Sequence, residues 1–372
     1  MNENWQDWKL KTQKWLCPPG EGVYTVHTAK EHRDGLQKQL YPEASGAEAV
    51  KKAWSDSWDQ LDKTQQPCLL GVCSDAGGGI QRGANWGPLF LRKTLNDQHP
   101  ESDYFDLGDI RVIPHLLHDK YLNEQTRRRC RQALYQDPEL EDNVSPLSLT
   151  EDFLTEFYQR FPNRTVLALG GDHSVSYPLT KSFLKHKKSQ GKKIALIHFD
   201  AHTDLLEERL GIDLCFASWC AHILEDLPSP DHLIQIGIRS SGKEKSHWEK
   251  TFGVQQYWAK ELAEKGPEAV SAEILKFLKQ KDVDELYVSF DIDGLDSNYA
   301  SATGTPEKDG PSPDECLLIL RTLQEQLPIT GADLVEVAPF VRSREDVVEP
   351  RTTLSVGASL MAFFLQAMAQ KE

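Results

Sequence analysis

The chain has 372 residues, and its 42 basic and 57 acidic side chains give a formal net charge of −15. This acidic balance repels the phosphates of nucleic acids and anionic lipids, so it argues against nucleic-acid and membrane partners. A hydrophobic fraction of 39% and nine tryptophans argue against disorder and allow a large buried core.

Three further features bear on the cellular compartment. The amino terminus is polar and lacks the basic-then-apolar pattern of a signal peptide. No apolar run approaches the ~18–20 residues that are needed to span a bilayer. The seven cysteines are scattered and form no CxxC pair, which suits a reducing environment better than a disulfide framework or a zinc knuckle. We therefore expect a cytoplasmic protein.

Residues 1–65 form a Trp-rich extension that precedes the regular part of the sequence. Within it, Trp5, Trp8 and Trp15 are spaced so that they fall on one face of a helix. This spacing favours helices that pack on the main domain over an aromatic cluster that binds a ligand. A polar stretch ends the extension, and residues 66–372 are predicted to form the catalytic domain.

Beyond the extension, short apolar runs alternate with amphipathic stretches. The apolar runs lie at 68–73, 165–169, 194–199, 233–238, 285–290 and 334–337. The amphipathic stretches lie at 151–160, 177–188, 267–278 and 313–326, and Ser312 and Pro313 mark the start of the last. Continuous apolar runs indicate strands that are buried on both faces. The predicted fold class is therefore α/β: one three-layer domain in which helices flank a mostly parallel sheet, with a helical N-terminal extension.

Imidazoles and carboxylates follow three of these predicted strands. They are His173, then Asp200, His202 and Asp204, then Asp291 and Asp293. Open α/β sheets place their sites at the carboxyl ends of the strands, and alternate residues of an extended chain point the same way, so the six side chains are expected to converge. Four carboxylates in one crevice would be strongly destabilising without cations.

The ligand types narrow the choice of cation. Two imidazoles with four carboxylates are too rich in oxygen for a structural zinc, and calcium is disfavoured by the imidazoles and by the lack of an EF-hand loop. The set suits a pair of borderline-to-hard divalent ions such as manganese, with nickel or another divalent ion as an alternative. A purely structural acidic cluster is the other interpretation.

These motifs resemble those of a known family. Gly-Gly-Asp-His-Ser at 170–174, Phe-Asp-Ala-His-Thr-Asp at 199–204 and Ser-Phe-Asp-Ile-Asp-Gly-Leu-Asp at 289–296 resemble the three signatures of the ureohydrolases, the arginase and agmatinase family. The resemblance extends to 82–88, 302–306 and 334–339, and it covers roughly residues 68–369. It implies an arginase-like fold, a homo-oligomer (a trimer or a hexamer), and hydrolysis of a guanidino compound with release of urea.

The resemblance also implies roles for single residues. One ion would be held by His173, Asp200, Asp204 and Asp291, and the other by Asp200, His202, Asp291 and Asp293. Asp200 and Asp291 would bridge the two ions, and Glu336 would pair with the substrate guanidinium. His222 is the candidate that protonates the departing nitrogen, although the family's histidine lies nearer the metal motif, and a core histidine is the alternative. His198 is expected to be a hydrogen-bonded strand histidine rather than a third metal-binding imidazole.

The expected substrate is not L-arginine. Residues 205–213 lack the small polar residues with which arginases hold the amino-acid carboxylate, and Ser240-Ser241-Gly242 stands where an arginase would offer an aspartate to the α-amino group. Agmatine, a guanidino acid, guanidine and a formimidoyl compound remain open. Arg209 is expected to be an exposed loop arginine, with contact to a substrate carboxylate as the alternative. The Trp-rich extension is expected to narrow the pocket or to dock a neighbouring subunit. A two-metal phosphoesterase and a non-catalytic metal-binding family member are the rival classes.

Overall fold

The computed structural model describes residues 4–23, 29–77, 79, 81–339 and 350–369. The strands are β1 (Leu16–Cys17), β2 (Cys68–Val72), β3 (Phe105–Ile110), β4 (Val166–Gly170), β5 (Ile194–Phe199), β6 (Leu233–Ile236), β7 (Gln255–Tyr257), β8 (Glu285–Asp291) and β9 (Ile329–Val335). The helices before β5 are α1 (Trp5–Gln13), α2 (Lys30–Leu40), α3 (Ala47–Ser57), α4 (Gly87–Gln98), α5 (Glu124–Tyr135), α6 (Pro146–Arg160) and α7 (Ser176–Ser189). The later helices are α8 (Trp219–Ile223), α9 (Lys245–Phe252), α10 (Ala259–Lys265), α11 (Pro267–Gln280), α12 (Pro313–Gln324) and α13 (Pro350–Ala369).

All nine strands form one sheet with the order β1-β3-β2-β4-β9-β8-β5-β6-β7. Every neighbouring pair is parallel except β1 with β3. All six predicted runs are strands, and all four predicted helices are present. Ser312 caps α12 together with Glu315 in a capping box, which confirms the predicted helix start.

Alternate residues along β2, β4, β5, β6, β8 and β9 enter two hydrophobic layers, one on each face of the sheet. The first layer is built with side chains from α1, α3 and α6 to α9, and the second with side chains from α4 and α10 to α13. This arrangement confirms the predicted three-layer α/β fold. The continuous apolar runs follow from it, because a strand that is covered on both faces buries every side chain.

Two strands were hidden in the sequence by buried polar groups. The prediction at 334–337 covered only the end of β9, because Asp333 interrupts the apolar run. Its carboxylate is fully buried and accepts a hydrogen bond from Tyr287 Oη at 2.7 Å. Strand β3 carries Asp106 and Asp109, and both carboxylates bind the buried guanidinium of Arg92. A buried charged residue is tolerated when it is paired, so a polar residue in the sequence of β3 or β9 does not exclude a buried strand.

The N-terminal extension is built into the main domain. Strand β1 pairs antiparallel with β3, with Leu16 opposite Ile110. The tryptophan cluster, which is Trp5, Trp8, Trp54 and Trp58, packs ring against ring and contacts Phe161 of the main domain. The cluster therefore anchors α1 and α3. Trp5 and Trp8 share a face of α1 as their spacing predicted, whereas Trp15 lies beyond the end of this helix and donates to Asp142 Oδ1 at 2.6 Å. The boundary proposed near residue 65 does not separate two cores.

Helix α13 corrects one expectation. Its stretch Thr352–Ala369 is long and apolar enough to cross a membrane by length and composition, contrary to the expectation that no apolar run approaches this length. Half of this stretch is buried inside the protein, including Leu360, Met361 and Phe364 in the second hydrophobic layer. A buried core helix passes the same test of length and composition, so α13 by itself is weak support for a membrane segment.

Candidate metal centre

The predicted ligands lie at the carboxyl ends of β4, β5 and β8, and β5 and β8 are neighbours in the centre of the sheet. After β4 the chain enters a single helical turn, His173–Val175, which Asp172 caps by accepting from the backbone N–H of Ser174 at 3.1 Å. Gly171 precedes this turn, and a Cβ at that position would overlap the carbonyl oxygen of Ser74. The glycine is required because two strand ends approach each other closely there.

Local turns, rather than an extended chain, aim the ligands of the other two motifs. Asp200 Oδ1 accepts from the backbone N–H of His202 at 2.6 Å, and Asp291 Oδ1 accepts from that of Asp293 at 2.8 Å. Asp204 has a left-handed backbone with φ of 50°. The expectation that alternate residues of an extended chain converge was therefore wrong in its geometry. The aspartates form turns of their own, because their short side chains bond the backbone two residues on.

The structure brings all six predicted ligands together. His173 Nδ1 lies 3.2 Å from Asp200 Oδ2, 3.1 Å from Asp204 Oδ2 and 3.1 Å from Asp291 Oδ2. A second group forms where His202 Nδ1 lies 3.3 Å from Asp200 Oδ1 and 3.4 Å from Asp293 Oδ2. Asp200 belongs to both groups through its two oxygens. The arrangement fits two cations that share one carboxylate.

The tautomer of His173 follows from its neighbours. Ser289 Oγ donates its single proton to Asp333 Oδ1 at 2.8 Å, so it accepts from His173 Nε2 at 3.2 Å. In the neutral ring the proton therefore lies on Nε2 and the lone pair on Nδ1. Without a metal, burial opposes the charge on His173, but the carboxylates of Asp200, Asp204 and Asp291 outweigh it and raise the pKa of the imidazole well above its usual range. The buried Nδ1 atom lies among the three carboxylates without a partner in hydrogen-bond geometry. Such orphaned polar atoms are costly unless a cation lies between them.

The pKa values of the metal-free groups point the same way. Burial opposes the charge on His202, but Asp293 and Asp200 outweigh it and raise the pKa of the imidazole to about 12. For Asp291, burial and the charges of Asp293 and Asp200 raise the pKa of the carboxyl well above its usual range. Protons thus bind where the negative charge is in excess. Divalent ions would replace them, because metal ligands must be deprotonated.

His198 lies against the site but is held as a non-ligand by a chain of hydrogen bonds. The indole Nε1 of Trp258 can only donate, and it donates to Gln256 Oε1 at 2.9 Å. The amide of Gln256 therefore donates to Gln235 Oε1 at 2.8 Å, and Gln235 Nε2 donates to His198 Nδ1 at 2.9 Å. The ring proton of His198 then lies on Nε2, 3.0 Å from Asp200 Oδ2. A protonated nitrogen cannot ligate a metal, which supports the interpretation of His198 as a strand histidine.

Three residues that hold the ligands were missed by the sequence analysis. Trp219 Nε1 donates to Asp204 Oδ2 at 2.8 Å, and Thr305 Oγ1 donates to Asp293 Oδ2 at 2.6 Å. Ser289 fixes His173, as described above. Thr305 lies in the stretch 302–306, which belongs to the family resemblance, and Ser289 lies in the third motif, but nothing local marks Trp219.

A cavity of about 330 Å³ opens above these ligands. Its lining residues are Gly79, His173, Asp200, His202, Thr203, Asp204, Leu206, Arg209, Phe216, Ala217, Ser240, Ser241, Gly242, Trp248, Asp291, Asp293, Thr305 and Glu336. Glu336 reaches it just after β9, with a left-handed φ of 62°, and its Oε1 accepts from the backbone N–H of His173 at 2.8 Å. Burial, with the nearby Asp172 charge, raises the pKa of Glu336 well above its usual range.

Two sequence-based expectations find no support in this cavity. Within the described part of the chain, its lining does not include His222, whose Nε2 lies 2.8 Å from the carbonyl oxygen of Asp213. The role of proton donor therefore stays a prediction for mutagenesis. The same lining contains no described residue of the N-terminal extension, so the tryptophan cluster does not narrow the pocket of its own chain.

Known proteins share both the sequence and the fold. The profile of the arginase family matches residues 65–365. A guanidinobutyrase of Pseudomonas aeruginosa is 36% identical over 176 residues, which are 46% of this chain and 53% of that protein. A mitochondrial guanidino acid hydrolase of Homo sapiens is 30% identical over 73% of this chain and 71% of its own length. An agmatinase of Bacillus anthracis is 35% identical over 73% of this chain and 83% of its own length.

The match to the guanidinobutyrase spans only about half of that protein's length. Among solved structures, the arginase of Bacillus caldovelox superposes with a TM-score of 0.61 at 25% identity, covering 82% of this chain and 99% of the other. The family profile covers more than half of the chain, and its range includes every ligand of the candidate metal centre. The chain belongs to the arginase family.

Proposed function

We propose that the protein is a binuclear-metal hydrolase that cleaves a C–N bond of a guanidino compound and releases urea. The observation that carries this proposal is the position of the buried His173 Nδ1, which lies 3.1–3.2 Å from one carboxylate oxygen of each of three aspartates. The names of the relatives support the substrate class, because a guanidinobutyrase, a guanidino acid hydrolase and an agmatinase all act on guanidino groups.

The six converging side chains would hold the two ions. We propose manganese as the physiological metal, because carboxylate-rich sites with some imidazole suit it. When bound, two divalent ions would lower the pKa of water from ~15.7 towards neutrality and so supply a nucleophile. Trp219 and Thr305 would keep Asp204 and Asp293 in place by donating to one oxygen of each.

Glu336 would bind the substrate guanidinium. It is the one carboxylate in the described lining that is not a proposed metal ligand, and a carboxylate can accept two parallel hydrogen bonds from a planar guanidinium. Its left-handed backbone and its bond from the His173 amide fix the direction of the side chain. The departing nitrogen must gain a proton, and His222 remains the candidate donor although it lies outside the cavity lining.

L-Arginine is not the proposed substrate. The wall where the α-ammonium would need an acidic partner consists of Ser240, Ser241 and Gly242. The hydroxyl of Ser241 is already used, because it accepts from Trp248 Nε1 at 2.9 Å and donates to the Lys243 carbonyl oxygen at 2.8 Å. An ammonium at this wall would lose its water without gaining a charged partner.

The test is urea release by metal-loaded protein. Purified protein, stripped with chelator and reloaded separately with Mn²⁺, Ni²⁺ and Zn²⁺, would be assayed on 4-guanidinobutyrate, agmatine and guanidine, with elemental analysis of bound metal. Two ions per chain and urea from at least one compound are expected. Two bound ions without urea from any of them would leave a metal-binding protein rather than a hydrolase.

We further propose a cytoplasmic homo-oligomer, a trimer or a hexamer. All seven cysteines are free, which suits a reducing compartment. The oligomer rests on the resemblance to the family alone. Light scattering on the purified chain would measure its mass, and a monomer across the micromolar range would contradict this part of the proposal.

A further inference from the structure

The loop between Asp204 and α8 places an arginine at the mouth of the cavity. Arg209 and Ile212 form a tight hairpin, with N–H to O distances of 2.8 and 3.0 Å in the two directions. Leu210 and Gly211 form the two-residue turn with positive φ values of 53° and 83°, as a type I′ turn requires at both central residues. The backbone of Arg209 is therefore held by a closed turn rather than by a loose loop.

The side chain of Arg209 is held as well. Its guanidinium lies 5.0 Å from the ring centre of Phe216, and both residues line the cavity. Stacking on an aromatic face leaves the N–H groups at the edge of a guanidinium available to a planar anion. Within the described part of the chain Arg209 forms no ion pair.

The charges of the cavity are segregated. Its carboxylates are the four aspartates of the candidate metal centre and Glu336, whereas Leu206, Phe216, Ala217, Ser240, Ser241, Gly242 and Trp248 are uncharged. Two divalent ions would neutralise four aspartates, and Glu336 would be paired with the substrate guanidinium. Arg209 then remains as the uncompensated charge of the described lining.

We propose that Arg209 is the specificity-determining residue and that it binds a carboxylate at the end of the substrate opposite the amidine. This inference rests on the proposed function and narrows it to linear amidines with a carboxylate tail. A carboxylate would gain a charge-assisted, bidentate pair at Arg209. The ammonium of agmatine would instead lie near the positive charge of Arg209, without an acidic partner. Arg209 is exposed, as expected of a loop arginine, and the proposal adds a role in substrate binding.

The experiment compares three substrates that share a guanidino group and differ at the opposite end, which carries a carboxylate, a neutral methyl group or an ammonium. kcat/KM would be measured for 4-guanidinobutyrate, butylguanidine and agmatine with the metal-loaded wild type, Arg209→Gln and Arg209→Glu. The wild type should prefer the carboxylate tail over the neutral tail by at least ~10-fold. Arg209→Gln should reduce this preference to within about threefold, and Arg209→Glu should turn it towards agmatine. N-formimidoyl-glutamate serves as a second carboxylate source and shows whether the amidine is guanidino or formimidoyl.

Lys243→Glu is the matched control. Lys243 is exposed, follows the cavity residue Gly242 in sequence and does not line the cavity, so the same change of charge there should leave the order of the three substrates unchanged. An equal effect of both reversals would show a long-range field rather than a binding site. The inference would be overturned if the wild type had equal kcat/KM for 4-guanidinobutyrate and butylguanidine, or if Arg209→Gln kept the preference for 4-guanidinobutyrate.

Failure of the proposed function is distinguishable from failure of this inference. If none of the compounds is hydrolysed, the proposed function fails, and calorimetric titration with the same compounds still measures binding. Tighter binding of 4-guanidinobutyrate than of butylguanidine, abolished by Arg209→Gln, would support the role of Arg209 without turnover. Equal binding of the two compounds would reject that role.

Discussion

Replacing Ser289 by alanine tests whether the protein sets the tautomer of His173. Ser289 Oγ accepts from His173 Nε2 and donates to Asp333 Oδ1. Without this acceptor the ring proton is free to move to Nδ1, where three carboxylates attract it and where it competes with a cation. We expect weaker metal binding rather than loss of the fold, because Asp333 keeps Ser176 and Tyr287 as donors.

The magnitude can be estimated in two ways. A buried N–H that loses its partner costs about 1–3 kcal/mol. Loss of a group that orients a metal-binding histidine lowers metal affinity by about 10–100-fold, which is roughly 1.4–2.7 kcal/mol. The two ranges agree. Since His173 belongs to one of the two ligand groups, the dissociation constant of one ion should rise by this factor and that of the other should change much less.

Competition with a chromophoric chelator would measure both dissociation constants in the wild type and in Ser289→Ala. Ser182→Ala is the control, because Ser182 is also a buried serine but lies on α7 away from the ligands. The free energy of unfolding of the metal-free proteins separates a binding effect from general destabilisation. Unchanged affinity at both sites, or equal weakening at both, would refute the assigned tautomer.

Four further predictions follow from the same geometry. Asp200→Asn should leave fewer than one ion per chain by elemental analysis, whereas Asp204→Asn should keep about one, because Asp200 belongs to both ligand groups; equal losses would argue against a shared carboxylate. His222→Ala should lower kcat by ~10²–10⁴-fold while the metal content stays intact, as expected for the candidate proton donor, and near-normal turnover would instead agree with the position of His222 outside the cavity lining. Trp8→Ala should lower the free energy of unfolding by about 3–5 kcal/mol in denaturant titrations without changing KM, because Trp8 is buried in the tryptophan cluster; a large change in KM would place the extension at the site. L-Arginine should have a kcat/KM at least ~10-fold below that of the best guanidino compound, or roughly 1.4 kcal/mol of differential binding, and arginine as the best substrate would contradict the neutral wall at Ser240–Gly242.

The sequence alone determined the fold class and the grouping of the six candidate metal ligands, and the physical reason is that both depend on local patterns. A strand that is buried on both faces is mostly apolar, so β2, β4, β5, β6 and β8 could be located from their composition. The carboxyl ends of parallel strands meet at one edge, so the ligands after β4, β5 and β8 could be grouped before any distance was known.

Tertiary structure decided which other residues join the site. Trp219 donates to Asp204, and Gln235 donates to His198, only because α8 and β6 lie next to β5. No spacing in the sequence predicts either contact. His222 is near the motifs in sequence, yet its position on α8 turns it towards the backbone of Asp213. For Arg209, the sequence offered contact with a substrate carboxylate only as the alternative, and the hairpin places its side chain in the cavity lining. Strand ends converge by a general rule of the fold, whereas the direction of a loop side chain depends on long-range packing that local sequence does not encode.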